Sequence, residues 1–260
     1  MCSSDLLRLT SAPGQDMFPR VSPDGRWIAY TEASKAGTDV WVIPSGGGTA
    51  RRLTFHPPTE AGTGGRHGPD DMVVTWTPDS KSVVFLTKRD QWNSWIQDMY
   101  KVPVDGGAAT RMPIDSAVGL ATYAPDGHTI AYNRIFRNFR TWKRYNGGLA
   151  QEVFTYDFDT RKSEQITHWS GTNTSPMWVG RKVYYLSDQD AHRRANVWVY
   201  DQDTKKTRQV TRAATTRKAA TAAATMKRRF FGGSGLGATG GTVASRFSTE
   251  TGAGRSAFST

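Results

Sequence analysis

Cysteine is almost missing from this 260-residue sequence: Cys2 stands alone, so no internal disulfide staples the fold, and cysteine usage says nothing about the redox compartment. Long apolar runs are missing too. None approaches the ~18 residues of a membrane-spanning helix, and no charged start followed by an apolar stretch marks a signal peptide. Hydrophobic residues make up only 37% of the chain, and the shortage is concentrated at one end. Residues 212–260 contain no Trp and no Asp, and Glu250 is their single acid against 8 basic residues, while Ala, Thr and Gly number 11, 9 and 8. A packed core needs large apolar side chains, which this segment does not supply. It is expected to be a disordered, low-complexity C-terminal tail, composed as a frameshifted GC-rich reading frame would be. Residues 1–211 hold all nine Trp and a net charge of only +4, so most of the chain's +11 belongs to the tail. Lys227-Arg228-Arg229 and Phe230-Phe231 suggest a nucleic-acid arm less well than they suggest an unnatural segment. Gly235 to Gly240 spells G-x-G-x-x-G with no βαβ unit around it.

What is present is a repeat. Val21-Ser22-Pro23-Asp24-Gly25-Arg26-Trp27-Ile28-Ala29-Tyr30 returns as Trp76-Thr77-Pro78-Asp79-Ser80-Lys81-Ser82-Val83-Val84-Phe85 and as Tyr123-Ala124-Pro125-Asp126-Gly127-His128-Thr129-Ile130-Ala131-Tyr132. A shortened copy runs from Met177 to Tyr185. Proline presets φ for a tight turn and Asp and Gly accept the rest of its geometry, so each copy reads strand, turn, strand. Each is followed by a second hairpin, beginning at Asp39-Val40-Trp41, Asp98-Met99-Tyr100, Glu152-Val153-Phe154 and Asn196-Val197-Trp198. Four short strands every roughly 45 to 60 positions are the mark of propeller blades. The fold class is therefore all-β: a partial β-propeller of about four blades, with blades near 18–54, 73–113, 120–167 and 175–211 inside a region 7–211. Trp27, Trp41, Trp76, Trp178 and Trp198 are expected to fill the space between blades. Leu7-Arg8-Leu9-Thr10 matches the closing strand at Arg51-Arg52-Leu53-Thr54, and residues 1–6 read as a non-native leader.

Chemistry-bearing clusters are sparse. His67-Gly68-Pro69-Asp70-Asp71 gathers an imidazole and two carboxylates, yet its spacing fits no strong metal pattern and loop structure is the better reading. Asp157-x-Asp159 and Asp201-x-Asp203 lack the glycine and bidentate glutamate of a calcium loop and read as Asx turns. The five histidines sit in separate loops, and no serine occupies a G-x-S-x-G elbow. No catalytic residue, cofactor or metal is expected. The unusual segment is Asn133 to Gly148, an insertion in the third blade where Arg137, Arg140, Trp142, Lys143 and Arg144 interleave cations with aromatic residues. These five are the candidate contacts for a peptide or other anionic partner. The competing reading lays the aromatic rings on the blade and turns the cations to water.

The same segment carries a resemblance. Arg137 to Tyr145 followed by Gly147-Gly148, then Tyr156-Asp157-Phe158, Ser175-Pro176-Met177-Trp178 and Tyr184-Tyr185-Leu186-Ser187-Asp188, resembles the first propeller of tricorn-like serine proteases. Arg66 to Asp71 and Val102 to Gly107 fit the same pattern. The resemblance implies a six-bladed propeller followed by a seven-bladed one, a PDZ module and a peptidase domain whose catalytic residues lie outside this sequence. It implies a non-catalytic module that gates peptide passage, with peptides and further copies of the protein as partners and with neither nucleic acid nor membrane. Two alternatives stay open: a TolB-type protein-binding propeller and the propeller cap of a prolyl-oligopeptidase-type hydrolase. Cytoplasmic and periplasmic locations both remain open.

Overall fold

Turns in this chain are capped by their own side chains. In the computed structural model, which describes residues 8–35, 37–55, 68–91, 96–135 and 145–212, Asp24 accepts hydrogen bonds from the Ser22 hydroxyl at 2.6 Å and the Arg26 amide at 3.1 Å. Asp79 repeats this with the Thr77 hydroxyl at 2.6 Å and the Lys81 amide at 3.0 Å. Asp126 takes the amides of His128 and Thr129 at 2.9 and 3.3 Å. The Ser22 hydroxyl, then the Arg26 amide, hold the Asp24 carboxyl down at about 2, and the Thr77 hydroxyl leads the same effect at Asp79. Gly25 and Gly127 occupy the left-handed position of the turn at φ 74° and 76°, where the second repeat has Ser80 at 61°. Ser80 keeps a reason to be there: its hydroxyl accepts the Asp24 amide of the neighbouring turn at 3.1 Å.

The strands between these turns form four antiparallel four-stranded sheets, each in chain order. The first holds β1 (Gln15–Val21), β2 (Trp27–Ser34), β3 (Gly37–Pro44) and β4 (Arg51–Arg52); the second holds β5 (Asp71–Trp76), β6 (Ser82–Thr87), β7 (Asp98–Pro103) and β8 (Thr110–Arg111). The third holds β9 (Ala121–Tyr123), β10 (Thr129–Asn133), β11 (Val153–Asp157) and β12 (Lys162–Gln165); the fourth holds β13 (Asn173–Val179), β14 (Lys182–Ser187), β15 (Asn196–Asp201) and β16 (Lys206–Gln209). The first strands of successive sheets touch, β1 on β5, β5 on β9 and β9 on β13, so they form the inner side of a radial stack. No packing of comparable extent joins the fourth sheet to the first among the described residues. The architecture is that of an all-β propeller with four blades.

Alternation within strands explains why blades stack. In β6, Val83 and Phe85 face the first blade with Tyr100 and Val102, while Val84 and Leu86 face the third with Met99. A strand buried on both sides reads as a continuous apolar run, as Val83 to Leu86 does. The cluster between blades one and two includes Val40, Val42, Val73 and Trp76; that between two and three includes Met72, Ile130, Tyr132 and Phe154; that between three and four includes Ala131, Val153, Trp178 and Tyr185. Trp76 and Trp178 are buried between blades as expected, and Trp27 and Trp198 pack against the cluster edges. Trp41 instead lies on the first blade's other face, paired across the strands with Tyr30.

Side chains also satisfy backbone across the blade joints. Thr31 and Thr38 accept the amides of Val73 and Asp71 at 2.9 and 3.0 Å, Arg20 donates to the Val74 carbonyl at 2.8 Å, and the Trp76 indole donates to the Arg20 carbonyl at 2.9 Å. Val74 sits at a register shift in β5. Bulges recur in β1 and β13, where Phe18 and Ser175 take φ of 54° and 55° directly before Pro19 and Pro176. One expectation changes: residues 8–10 are not a strand. A strand requires a hydrogen-bonded partner, and no described residue supplies one there. Arg8 nonetheless donates to the Thr10 carbonyl at 2.6 Å, as Arg52 donates to that of Thr54 at 2.8 Å, so the side-chain part of the closing pattern persists without the ladder.

Trp76→Ala is expected to lose about 3–5 kcal/mol of unfolding free energy. Thr31→Val should lose about 1–3 kcal/mol by stranding the Val73 amide. Urea denaturation of each variant measures both.

Candidate functional site

One end of the stack carries the tight turns. The other carries the longer connections, and there each blade is closed by a similar clamp between the start of its third strand and the end of its fourth. In the first blade the Thr54 hydroxyl accepts the Val40 amide at 2.9 Å and donates to Asp39 at 3.2 Å. Arg52, two residues earlier, reaches the same carboxylate at 2.7 Å. In the second blade Asp98 pairs with Arg111 at 3.2 Å. In the fourth, Thr211 accepts the Val197 amide at 2.9 Å and donates to Asn196 at 3.3 Å, and Gln209 replaces the arginine, donating to the Thr211 carbonyl at 2.8 Å. Acid meets arginine in two blades, and in the fourth both positions hold neutral amides, Asn196 and Gln209.

The third blade breaks the rule. Its acid is Glu152 and its clamp residue is Thr167, which accepts the Val153 amide at 2.8 Å and donates to Glu152 Oε2. The arginine position holds Gln165, which donates to the Thr167 carbonyl at 2.6 Å and brings no charge. Asn173, opening the fourth blade, donates to the same Oε2 at 2.9 Å and to the Trp169 carbonyl at 3.2 Å. Asn133, closing β10, donates to the Glu152 and Asn173 carbonyls at 2.7 and 2.8 Å. Burial pushes the Glu152 carboxyl up to about 7 even though the Thr167 and Asn173 bonds pull it down. This polar node ties the third blade to the fourth.

The insertion leaves β10 and returns at β11. Its base is closed by Gln151, whose side chain donates to the Ile135 carbonyl at 2.9 Å, and Asn146 accepts from Arg193 of the β14–β15 connection at 3.3 Å. Guanidinium groups on this end rest on aromatic rings: Arg52 over Phe55 at 4.7 Å, Arg89 over Tyr100 at 5.1 Å, Arg134 over Phe154 at 4.0 Å and Arg193 over Trp169 at 4.5 Å. The Trp169 indole is itself fixed by a 2.9 Å bond to Asp188, which also takes the Thr172 amide at 2.8 Å. Of these, Arg134 directly follows the strand that leads into the insertion, and Arg193, bonded to Asn146, lies beside its return.

Arg137, Arg140, Trp142, Lys143 and Arg144 lie outside the described residues, as do His67 and the 213–260 tail. Asp70 and Asp71 sit in ion pairs, with Lys88 at 3.6 Å and Arg89 at 3.4 Å, and the buried Lys88 also donates to the Gly68 carbonyl at 2.8 Å. Asp157 and Asp201 close hairpins by accepting the amides two and three residues on, at 2.8–3.1 Å. Among the described residues no group of three or more His, Cys, Asp or Glu side chains is placed to hold a metal. No helix in that set is long and apolar enough to cross a membrane. Sequence reasoning missed the Asn133–Glu152–Asn173 node. Its available signal was the register of the repeat, which places Gln165 where Arg52 stands in the first blade. Thr167→Val should lose about 1–3 kcal/mol, because the Val153 amide is left without an acceptor, whereas Thr167→Ser should retain most of the stability; thermal unfolding distinguishes them.

Comparison with known proteins fits this geometry. The family described as "Tricorn protease N-terminal beta propeller domain" matches residues 3–229. A tricorn protease homolog of Saccharolobus solfataricus is 27% identical over 188 residues, covering 71% of this chain and 16% of that protein. Tricorn protease homolog 1 of Streptomyces coelicolor is 30% identical over 176 residues, covering 66% of this chain and 15% of its own length. The chain thus spans about a sixth of these relatives. The crystal structure of the tricorn protease superposes with a TM-score of 0.66 at 23% identity, over 79% of this chain and 19% of that one, which speaks to fold alone. With the family match running through all four sheets, the chain belongs to the tricorn protease N-terminal β-propeller family.

Proposed function

We propose that residues 7–211 act as the non-catalytic propeller module of a tricorn-like serine peptidase, gating the passage of peptides to or from a separate active site. The observation that carries this reading is the anchoring of the insertion: a segment rich in arginine and aromatic residues leaves and returns through Ile135 and Gln151, beside the node that joins two blades. A basic loop fixed at both ends to a rigid stack is suited to holding carboxylates of a peptide while chemistry happens elsewhere. Family membership supports the peptidase context. The described histidine with a carboxylate partner, His128 beside Asp159 at 3.0 Å, lies on an exposed hairpin at the tight-turn end, away from the insertion. In this reading Arg137, Arg140, Lys143 and Arg144 contact the peptide's carboxylates and Trp142 stacks on its body.

Two measurements test the reading. The chain alone should not hydrolyse peptide amide substrates, and turnover that survives removal of contaminating proteases would overturn it. A fluorescent acidic peptide should bind in a salt-dependent manner, and replacing Arg137, Arg140, Lys143 and Arg144 with alanine should weaken binding by about tenfold or more. Unchanged affinity in that variant would remove the insertion from the function.

A further inference from the structure

We propose that Glu152 is a proton-operated latch between the third and fourth blades, its protonation controlling how firmly the base of the insertion is held. The proposal does not depend on peptide handling and fails or stands separately from it.

The first observation is a comparison inside the chain. Asp39 and Asp98 open the third strands of their blades, and each has an arginine, Arg52 at 2.7 Å and Arg111 at 3.2 Å. The fourth blade made both positions neutral, Asn196 and Gln209. The third kept the acid and lost the cation, leaving Glu152 opposite Gln165. A proton is the smallest charge that can replace the missing one.

The second observation is a count of donors. Asn133 spends both amide hydrogens on the Glu152 and Asn173 carbonyls, Asn173 spends both on Glu152 Oε2 and the Trp169 carbonyl, and Thr167 spends its one on Oε2. The side-chain oxygens of Asn133 and Asn173, both 0% exposed, then have no donor among the described residues. Buried acceptors are rarely left so. A proton on Glu152 cancels an isolated charge and adds one donor to a node short of them.

Among the described residues, no cation is paired with the Glu152 carboxylate. From β10 the facing group is the neutral Asn133, with Arg134 next to it directed onto Phe154. The β12–β13 connection offers Thr167 and Trp169, with His168 exposed, and β13 offers Asn173. From β14 comes Tyr185, whose phenol is pushed up to about 12 chiefly by burial, with the Glu152 charge adding to it. Asp188, the carboxylate that follows β14, is held by Trp169 and Thr172.

The sign follows from the raised value. Burial moves the carboxyl from 4.5 to about 7 in the folded chain. Stability owed to the bound proton is therefore complete below about 4.5 and is lost as pH rises through about 7.

The test is thermal unfolding of the 260-residue chain from about pH 5 to about pH 8, with amide exchange of the insertion base, corrected for intrinsic rate, as a second readout. The wild-type chain should lose stability across a step near neutrality, with faster exchange at Val153 above it. Glu152→Gln, neutral at every pH, should lose the step and be more stable than wild type on its alkaline side. Gln165→Arg, which restores the pairing of the first two blades, should also lose the step. All five histidines remain in both variants, so a step that persists in Glu152→Gln overturns the proposal, as does a wild-type profile without one. If Glu152→Gln fails to fold, the Gln165→Arg profile decides: a flat one supports the latch and an unchanged one refutes it.

Discussion

A four-stranded sheet with apolar side chains on both faces is not stable in water by itself, and every other feature of this chain follows from covering those faces. Val84, Leu86 and Met99 point one way and Val83, Phe85 and Tyr100 the other, so the second blade needs a neighbour on each side. Each fully buried side chain of this size contributes about 1.5–3 kcal/mol, against about 0–1 kcal/mol for a typical surface ion pair. Stacking creates a second demand, because the first strand of each sheet brings backbone groups into the joint. Thr31, Thr38 and Arg20 answer it between blades one and two, and Asn133 does so between three and four. Polar residues at these joints are therefore part of the packing and are not defects in it.

Much of this architecture was legible in the residues. The Pro-Asp turns declare themselves because their hydrogen bonds are local, Asp79 accepting from Thr77 and Lys81. The paired apolar runs give the hairpins, and the spacing of hairpins gives the blades. Trp41 was harder, since alternation fixes which residues share a face but not which neighbour covers it. Residues 8–10 show a similar limit: the letters of a closing strand keep their arginine-to-carbonyl bond, but a ladder depends on a partner that composition does not reveal. The node around Glu152 was invisible for another reason. Asn133, Glu152 and Asn173 belong to two blades, and only the fold brings them within hydrogen-bond distance.

Within one repeat, the same backbone position has been settled in several chemical ways. Asp39 with Arg52, Asp98 with Arg111 and Asn196 with Gln209 each balance charge or avoid it, whereas Glu152 with Gln165 does neither. Internal comparison of blades thus picks out an unusual site that its individual residue types would not. The imbalance falls in the blade that carries the arginine-rich insertion, and the insertion base shares Glu152 as a neighbour through Gln151. Scaffold and candidate site overlap here in a few residues.

The bulged inner strands have a consequence of their own. An unpaired strand edge ordinarily acts as a template for any extended chain that comes alongside it. In β1 and β13 the bulge turns the backbone at Phe18 and Ser175, and the next residue in each, Pro19 or Pro176, has no amide hydrogen to offer. Along β1 and β13, therefore, the unpaired edge offers an extended chain only an interrupted ladder.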